Sequence, residues 1–215
     1  QLVSSANAGY MDGLTLKATL QAWEASGSGE GGAMAFGFVI GVHDAFEGTS
    51  SDIKIIDIGG KKKNKRGLFN TSDHGEVTYV NIDKTNEPDI LASADNIPVN
   101  NDFYDVAVMG ELLEHIPEPE PVIREARRIL KFNGLLFISV PFNYPVHGDP
   151  DDYARYTDSY WKLVAEKNKF EIIKIEKHGS FFAVLGLMVQ HLFRAKNKSW
   201  EPVQSWIVKF MMWLD

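Results

Sequence analysis

Three aspartates, a pair of glycines and two histidines carry most of the reactive potential of this 215-residue chain. The run Ile53-Lys54-Ile55-Ile56 leads into Asp57-Ile58-Gly59-Gly60. Glycine at a strand-to-helix turn lets backbone N–H groups approach a ligand that a Cβ would keep away. A second run, Val77-Thr78-Tyr79-Val80-Asn81-Ile82, ends in Asp83. An acid at such a strand end can accept from both hydroxyls of a ribose; its plainer role is to cap a turn. Asp95 and Asn96 lie in the polar turn Ala92–Pro98. A carboxylate there could accept from an adenine amino group while a neighbouring N–H donates to the ring, or it could simply cap a helix or turn. His115, in Glu111-Leu112-Leu113-Glu114-His115-Ile116-Pro117, and His147 supply imidazoles. Histidine is the side chain best matched to accepting a hydroxyl proton near neutral pH, although either residue could equally be a structural hydrogen-bonding group.

The elements that must position these groups alternate in type. Strand signals at 53–58, 77–83, 103–109 and 134–141 are separated by helical or loop material. Between Glu120 and Lys131, Val122, Ile123, Ala126, Ile129 and Leu130 recur at three- and four-residue spacing, which predicts one apolar helix face ended by Asn133-Gly134. Thr157 to Asn168 reads as a helix with Thr157 as N-cap, and Phe170 to Lys177 as a strand. Strands alternating with helices imply a parallel sheet, and such sheets bind ligands at the carboxyl ends of their strands. Asp57, Gly59, Gly60 and Asp83 all fall there. Upstream, helices are expected over Leu14–Ala25 and Ala33–Phe46, joined by the flexible connector Ser26–Gly32. Downstream, Ser180–Arg194 is strongly apolar, and Trp200–Leu214 sets Val203, Trp206, Ile207, Phe210, Met211 and Leu214 on one helical stripe. That stripe suits core or lid packing, with a membrane-surface or partner-binding face as the alternative.

Composition narrows the function classes. A net charge of −7 argues against a general nucleic-acid or anionic-membrane binder. The absence of cysteine excludes disulfides, thiolate metal sites and cysteine nucleophiles, and fits a reducing compartment. No run approaches the ~18 apolar residues of a membrane span. No serine elbow, phosphate loop or Gly-x-Gly-x-x-Gly dinucleotide fingerprint is present. The missing fingerprint argues against a nicotinamide dehydrogenase, which Asp83 would otherwise suit. A metal is not expected, because no histidine pair sits at helical ligand spacing with an acid, and Glu114 and His115 are adjacent in sequence.

Taken in order, Ile-Ile-Asp-Ile-Gly-Gly, Val-Asn-Ile-Asp, Ser-Ala-Asp-Asn-Ile-Pro, Phe-Tyr-Asp-Val-Ala-Val, Leu-Leu-Glu-His-Ile-Pro and Arg-Arg-Ile-Leu-Lys-Phe-Asn-Gly resemble class I S-adenosylmethionine-dependent methyltransferases. The likeness is to the small-molecule branch often called the type 11 methyltransferase domain, over about residues 52–178. It implies an α/β fold with a doubly wound, mostly parallel sheet and helical extensions at both ends. The division expected is an N-terminal helical extension over 1–50, a catalytic domain over 51–180 and a C-terminal helical cap over 181–215. By the same resemblance Asp57, Gly59, Gly60 and Lys61 would line the methionine part of S-adenosylmethionine. Asp83 would hold its ribose, Asp95 and Asn96 its adenine, and Met109 to Glu111 would flank the sulfonium. The loop from Pro141 to Thr157 resembles the family's substrate loop, with Tyr144, His147, Asp152, Tyr153 and Arg155 as candidate contacts. Asp152 and Arg155 could orient a substrate or pair with each other to brace the loop.

The implied activity is methyl transfer to a small-molecule or glycan-like acceptor, as O-methylation, with His115 or His147 as base. A cytoplasmic location is expected, with no nucleic-acid partner. One departure stands out: the family pattern is acid-x-Gly-x-Gly, and here Lys61 and Lys63 occupy the later positions. Lys61 could pair with the cofactor's carboxylate. The substitution also motivates a second reading, a catalytically inert binding or scaffold protein on the same fold. The fold type commonly closes its sheet with an antiparallel hairpin, and only one of those two strands is apparent in the sequence.

Overall fold

A computed structural model of the chain describes residues 38–41, 53–62, 76–143, 146–148 and 151–177, together with Phe182, Leu185, Gly186, Met188 and Phe210. The expected helices at Leu14–Ala25, Ser180–Arg194 and Trp200–Leu214 and the Ser26–Gly32 connector lie outside or almost wholly outside these residues, as do Tyr144 and Lys63. Seven strands form one sheet: β1 (Phe38–Gly41), β2 (Lys54–Ile58), β3 (Glu76–Asn81), β4 (Ile90–Leu91), β5 (Tyr104–Gly110), β6 (Leu130–Ser139) and β7 (Lys174–Lys177). Their order is β4-β3-β2-β5-β6-β1-β7. The first five in this order run parallel, and β1 is antiparallel to both β6 and β7. This is the doubly wound, mostly parallel α/β sheet of the class I methyltransferase fold.

The chain winds outward from β2 through β3 to β4, then crosses back to β5 on the other side of β2. The carboxyl ends of β2 and β5 therefore flank the point where winding reverses, the usual crevice for a ligand in open α/β sheets. Strand β2 alternates: Ile56 and Ile58 enter a large core on one face, while Ile55 joins Val106, Val108 and Leu135 on the other. Helices α1 (Pro119–Ile129) and α2 (Asp158–Lys167) pack on the large-core face through Val122, Ile123, Ala126 and Ile129 and through Trp161 and Val164. Pro119 opens α1 where a missing N–H costs nothing, and Arg127 and Arg128 close it against the negative end of the helix dipole. Thr157 caps α2 as expected, accepting from the Tyr160 N–H.

Two expectations are corrected here. The stretch read as a helix over Ala33–Phe46 contains β1, whose residues pair with Ile138 on one side and Lys174–Lys177 on the other. A short continuous apolar run has no period that separates a buried helix from an internal strand. Strand β1 also supplies the second antiparallel neighbour missing from the sequence reading: it comes from the N-terminal side of the chain. The other correction concerns Asn133-Gly134, which does not end a helix. Helix α1 stops at Ile129, and Asn133, at φ 62°, sits in an irregularity of β6 between Leu130, opposite Tyr104, and Leu135, opposite Val106. The strand after Phe170 is shorter than expected, beginning at Lys174.

Ile123 is 1% exposed at the centre of the α1–sheet contact. Its replacement by alanine is expected to destabilise the fold by ~2–5 kcal/mol, the usual cost of an aliphatic-to-alanine cavity. Urea unfolding followed by circular dichroism measures it.

Candidate active site

Around the β2 turn, local geometry explains the acid-x-Gly-Gly order. Gly59 has φ +86°, and a Cβ there would meet the Leu112 side chain at 2.8 Å. At Gly60 a Cβ would collide with the Asp57 carboxylate at 2.3 Å, because that side chain curls beneath the turn. Lys61 is not among the described residues of positive φ, so the backbone at 61 accepts an ordinary L residue without strain. Lys62 pairs with Asp89.

Sequence reasoning passed over the residue that joins this turn to the next. Asn81, nearly buried at the end of β3, donates through Nδ2 to the carbonyls of Gly59 and Gly60, at 3.0 and 2.9 Å. Its Oδ1 accepts from the Asp83 N–H at 2.9 Å. One amide thus sets the glycine turn and Asp83 side by side. Asp83 is exposed; its carboxylate accepts from the Thr85 N–H and Thr85 Oγ1 and feels the charge of Lys61, which together hold it below the ordinary aspartate range. Asp95 accepts from the Ser93 hydroxyl, and both Asp95 and Asn96 are exposed. Their loop is clamped to α1: the Ile97 N–H donates to Glu125, and Arg128 bridges Glu125, Asn101 and the carbonyls of Ile97 and Val99. Met109 is 0% exposed in the core, so of the stretch expected to flank the sulfonium only Gly110 and Glu111 are open to a ligand.

Beyond β5 the chain is held tightly. Glu111, at φ 50°, accepts from the Ser139 hydroxyl, and a 3-10 turn over Leu113–His115 follows. This turn brings together two residues expected to act and one that was not. Glu114 is 0% exposed, and among the described residues neither carboxyl oxygen has a hydrogen-bond partner. Burial, then the neighbouring charge of Glu111, pushes its carboxyl up to about 8, with Arg155 acting in the opposite direction. His115 Nε2 lies 3.6 Å from Glu114 Oε1, and the His115 and His147 rings meet edge to face, centroids 5.0 Å apart.

The substrate-loop candidates close over this group. The Tyr153 N–H donates to the Glu114 carbonyl at 2.7 Å, and the His147 N–H donates to Asp152 Oδ2 at 2.9 Å. Arg155 grips Asp152 through both guanidinium Nη atoms, and this holds the Asp152 carboxyl far below the usual range. In the described geometry Asp152 and Arg155 brace the loop through each other. Tyr153 is exposed, its hydroxyl donating to Asp151. One donor atom from each of Glu114, His115 and His147 lies within 4.8 Å of the others. The third donor arrives from a loop some thirty residues after the adjacent Glu114 and His115. Glu114 had one signal in the sequence, an acid inside the apolar run Leu-Leu-Glu-His-Ile.

The fold and the crevice at its winding reversal define a class I methyltransferase-type domain. A model of the methyltransferase domain family matches residues 38–187, well over half of the chain, and the chain belongs to that family. No curated protein matches this sequence. Among solved structures, the [4+2]-cyclase SpnF is similar at TM-score 0.55 and 15% identity, over 76% of this chain and 69% of its own. A phosphoethanolamine N-methyltransferase 2 from Haemonchus contortus, in complex with phosphomonomethylethanolamine and S-adenosylhomocysteine, matches at TM-score 0.50 and 16% identity, over 78% of this chain and 46% of its own. A SAM-dependent methyltransferase from Methanosarcina mazei matches at TM-score 0.48 and 19% identity, over 58% of this chain and 82% of its own. The chain spans 62% of the YcgJ protein of Bacillus subtilis, so it covers less than two thirds of some of these relatives. Among the described residues no helix is long and apolar enough to cross a membrane.

Two predictions follow from this geometry. Asn81→Leu removes the partner of three backbone groups and is expected to cost ~1–3 kcal/mol in urea unfolding. For Glu114, the unfolded carboxyl loses its proton near 4.5 while the folded one keeps it to about 8. Between these values the unfolded state binds fewer protons, so stability falls as pH rises across the window, by at most ~5 kcal/mol. Glu114→Gln cannot ionise and should flatten that slope, becoming more stable than the parent at about pH 8. Unfolding at about pH 5 and about pH 8, with a chelator present, compares the two.

Proposed function

We propose that this methyltransferase domain uses S-adenosylmethionine to methylate a hydroxyl of a small-molecule or glycan-like acceptor. The residues at the winding reversal fit such a cofactor. Gly59 and Gly60 lack the Cβ atoms that would strike the Leu112 and Asp57 side chains packed on the turn, and Asp83 is exposed, ionised and held beside it. In this reading Asp57, Gly59, Gly60 and Lys61 take the amino-acid end, Asp83 the ribose, and Asp95 and Asn96 the adenine. Gly110 and Glu111, just past the buried Met109, border the sulfonium. When bound, the cofactor supplies a methyl carbon made electrophilic by that sulfonium.

What the chain must add is position and a proton acceptor. The observation that carries the O-methylation reading is the contact of His115 Nδ1 with a backbone carbonyl. That carbonyl, of Asp151, can only accept, so Nδ1 carries the proton and Nε2 keeps a lone pair. That nitrogen lies beside Glu114, just past the end of β5. His147, on the loop above, can share the role or contact the acceptor, and by the family resemblance Tyr144 and Tyr153 are further candidate contacts. Asp152 and Arg155 then serve the acceptor by keeping that loop in place.

A second reading is an inert binding protein on this fold. Lys61 in place of glycine and the engagement of both Asp83 oxygens by Thr85 favour it. The fold alone does not select a chemistry. Calorimetry with S-adenosylmethionine separates the two: the enzyme reading expects saturable binding, and none at ~1 mM, a typical upper KM, would remove it. Asp83→Ala is expected to weaken binding by ~1–3 kcal/mol through orphaned ribose hydroxyls. Unchanged affinity in that variant would count against the ribose assignment.

A further inference from the structure

We propose that Glu114, His115 and His147 form a binding site for one first-row divalent transition-metal ion. The binding claim stands on the cluster itself. Its use, holding and acidifying the acceptor's hydroxyl, rests on the methyl-transfer reading and would replace His115 as the proton acceptor, because the ion takes the same Nε2 lone pair.

Three independent features of the cluster point to a cation. The first is the donor set. One carboxylate oxygen and two imidazole nitrogens lie within 4.8 Å of one another. Ligand atoms ~2.0–2.2 Å from a common ion sit roughly 3–3.5 Å apart, so small side-chain movements close the set. Two histidines with one carboxylate suit zinc, cobalt, manganese or ferrous iron rather than magnesium or calcium. Three protein ligands also leave a position open for an acceptor oxygen.

The second feature is the state of Glu114. A fully buried carboxyl group whose two oxygens have no hydrogen-bond partner among the described residues is rare in a folded protein, because leaving it so is costly. His115 Nε2, at 3.6 Å, is too far for a hydrogen bond. The gap between this nitrogen and Oε1 is wide enough for a cation, which on binding would displace the proton held by the buried carboxyl.

The third feature is the outer support. Metal-binding histidines characteristically donate their other ring N–H to a carbonyl or carboxylate. His115 Nδ1 meets the Asp151 carbonyl, and His147 Nδ1 lies 3.2 Å from Asp152 Oδ2. Arg155 fixes Asp152 in turn. The His147 side chain is 31% exposed, which provides a path for an ion to enter.

The test uses the full chain, stripped with a chelator, dialysed and titrated with Co2+ while visible d–d absorption is followed. Zn2+ then competes for the site. The expected result is one Co2+ per chain, displaced by Zn2+. His147→Ala, on an outer loop, and Glu114→Gln should each weaken binding by about 100-fold or more, at or above the usual cost of disturbing a metal site's support. Circular dichroism and S-adenosylhomocysteine calorimetry check that each variant is folded. If Glu114→Gln does not fold, the His147→Ala comparison decides. Absence of a saturable Co2+ band in the parent overturns the proposal. So does equal affinity in parent and His147→Ala, which would put the ion at other histidines. Co2+ binding without S-adenosylhomocysteine binding would leave the metal site standing and remove the methyl-transfer reading instead.

Discussion

The side-chain amide of Asn81 is the connection on which the candidate site depends. It spends both its donors and its acceptor on backbone: two carbonyls of the glycine turn and the N–H of Asp83. Neither turn has a regular element to hold it there. Gly59 sits in left-handed backbone space, with its N–H tied to the Val80 carbonyl. A single nearly buried residue at the end of β3 therefore fixes the spacing between the glycine turn and a carboxylate.

The same logic recurs around the crevice with different chemistry. On the Asp95 side, Glu125 and Arg128 of α1 reach out to the Ile97 N–H and to loop carbonyls, so a helix face anchors a loop with no secondary structure. On the β5 side, the Tyr153 N–H binds the Glu114 carbonyl, and the Asp152–Arg155 pair stiffens the intervening backbone. Each loop is pinned by side-chain-to-backbone bonds from a rigid neighbour. The exposed groups, Asp83, Asp95 and Asn96, are thereby presented without being packed.

Much of this was legible in the chain. Asp57, Gly59 and Gly60 sit at the end of a strand because the run before them is short, apolar and β-branched. The Val122–Ile129 spacing marks α1 for the same kind of reason: period and burial coincide. Elements whose identity depends on distant partners were not legible. Strand β1 is an apolar run whose neighbours, Ile138 and Lys174–Lys177, lie about a hundred residues or more away. Asn133-Gly134 carries a helix-stop signature, yet the chain uses its left-handed residue to re-enter β6. Asn81 and Glu114 look unremarkable in one dimension, because an amide's partners and a carboxyl's dryness are set by the packing around them.

The position of β1 bears on how the protein is made. It leaves the ribosome before every other described strand, yet both its partners are encoded much later, the last more than 130 residues downstream. At translation rates of roughly 5–20 residues per second, β6 is made about 5–20 s after β1 and β7 about 7–27 s after it. Until β7 arrives, at least one edge of β1 has no partner strand. Sheet closure is thus a late event in biosynthesis, and until it happens the growing polypeptide depends on its surroundings for protection.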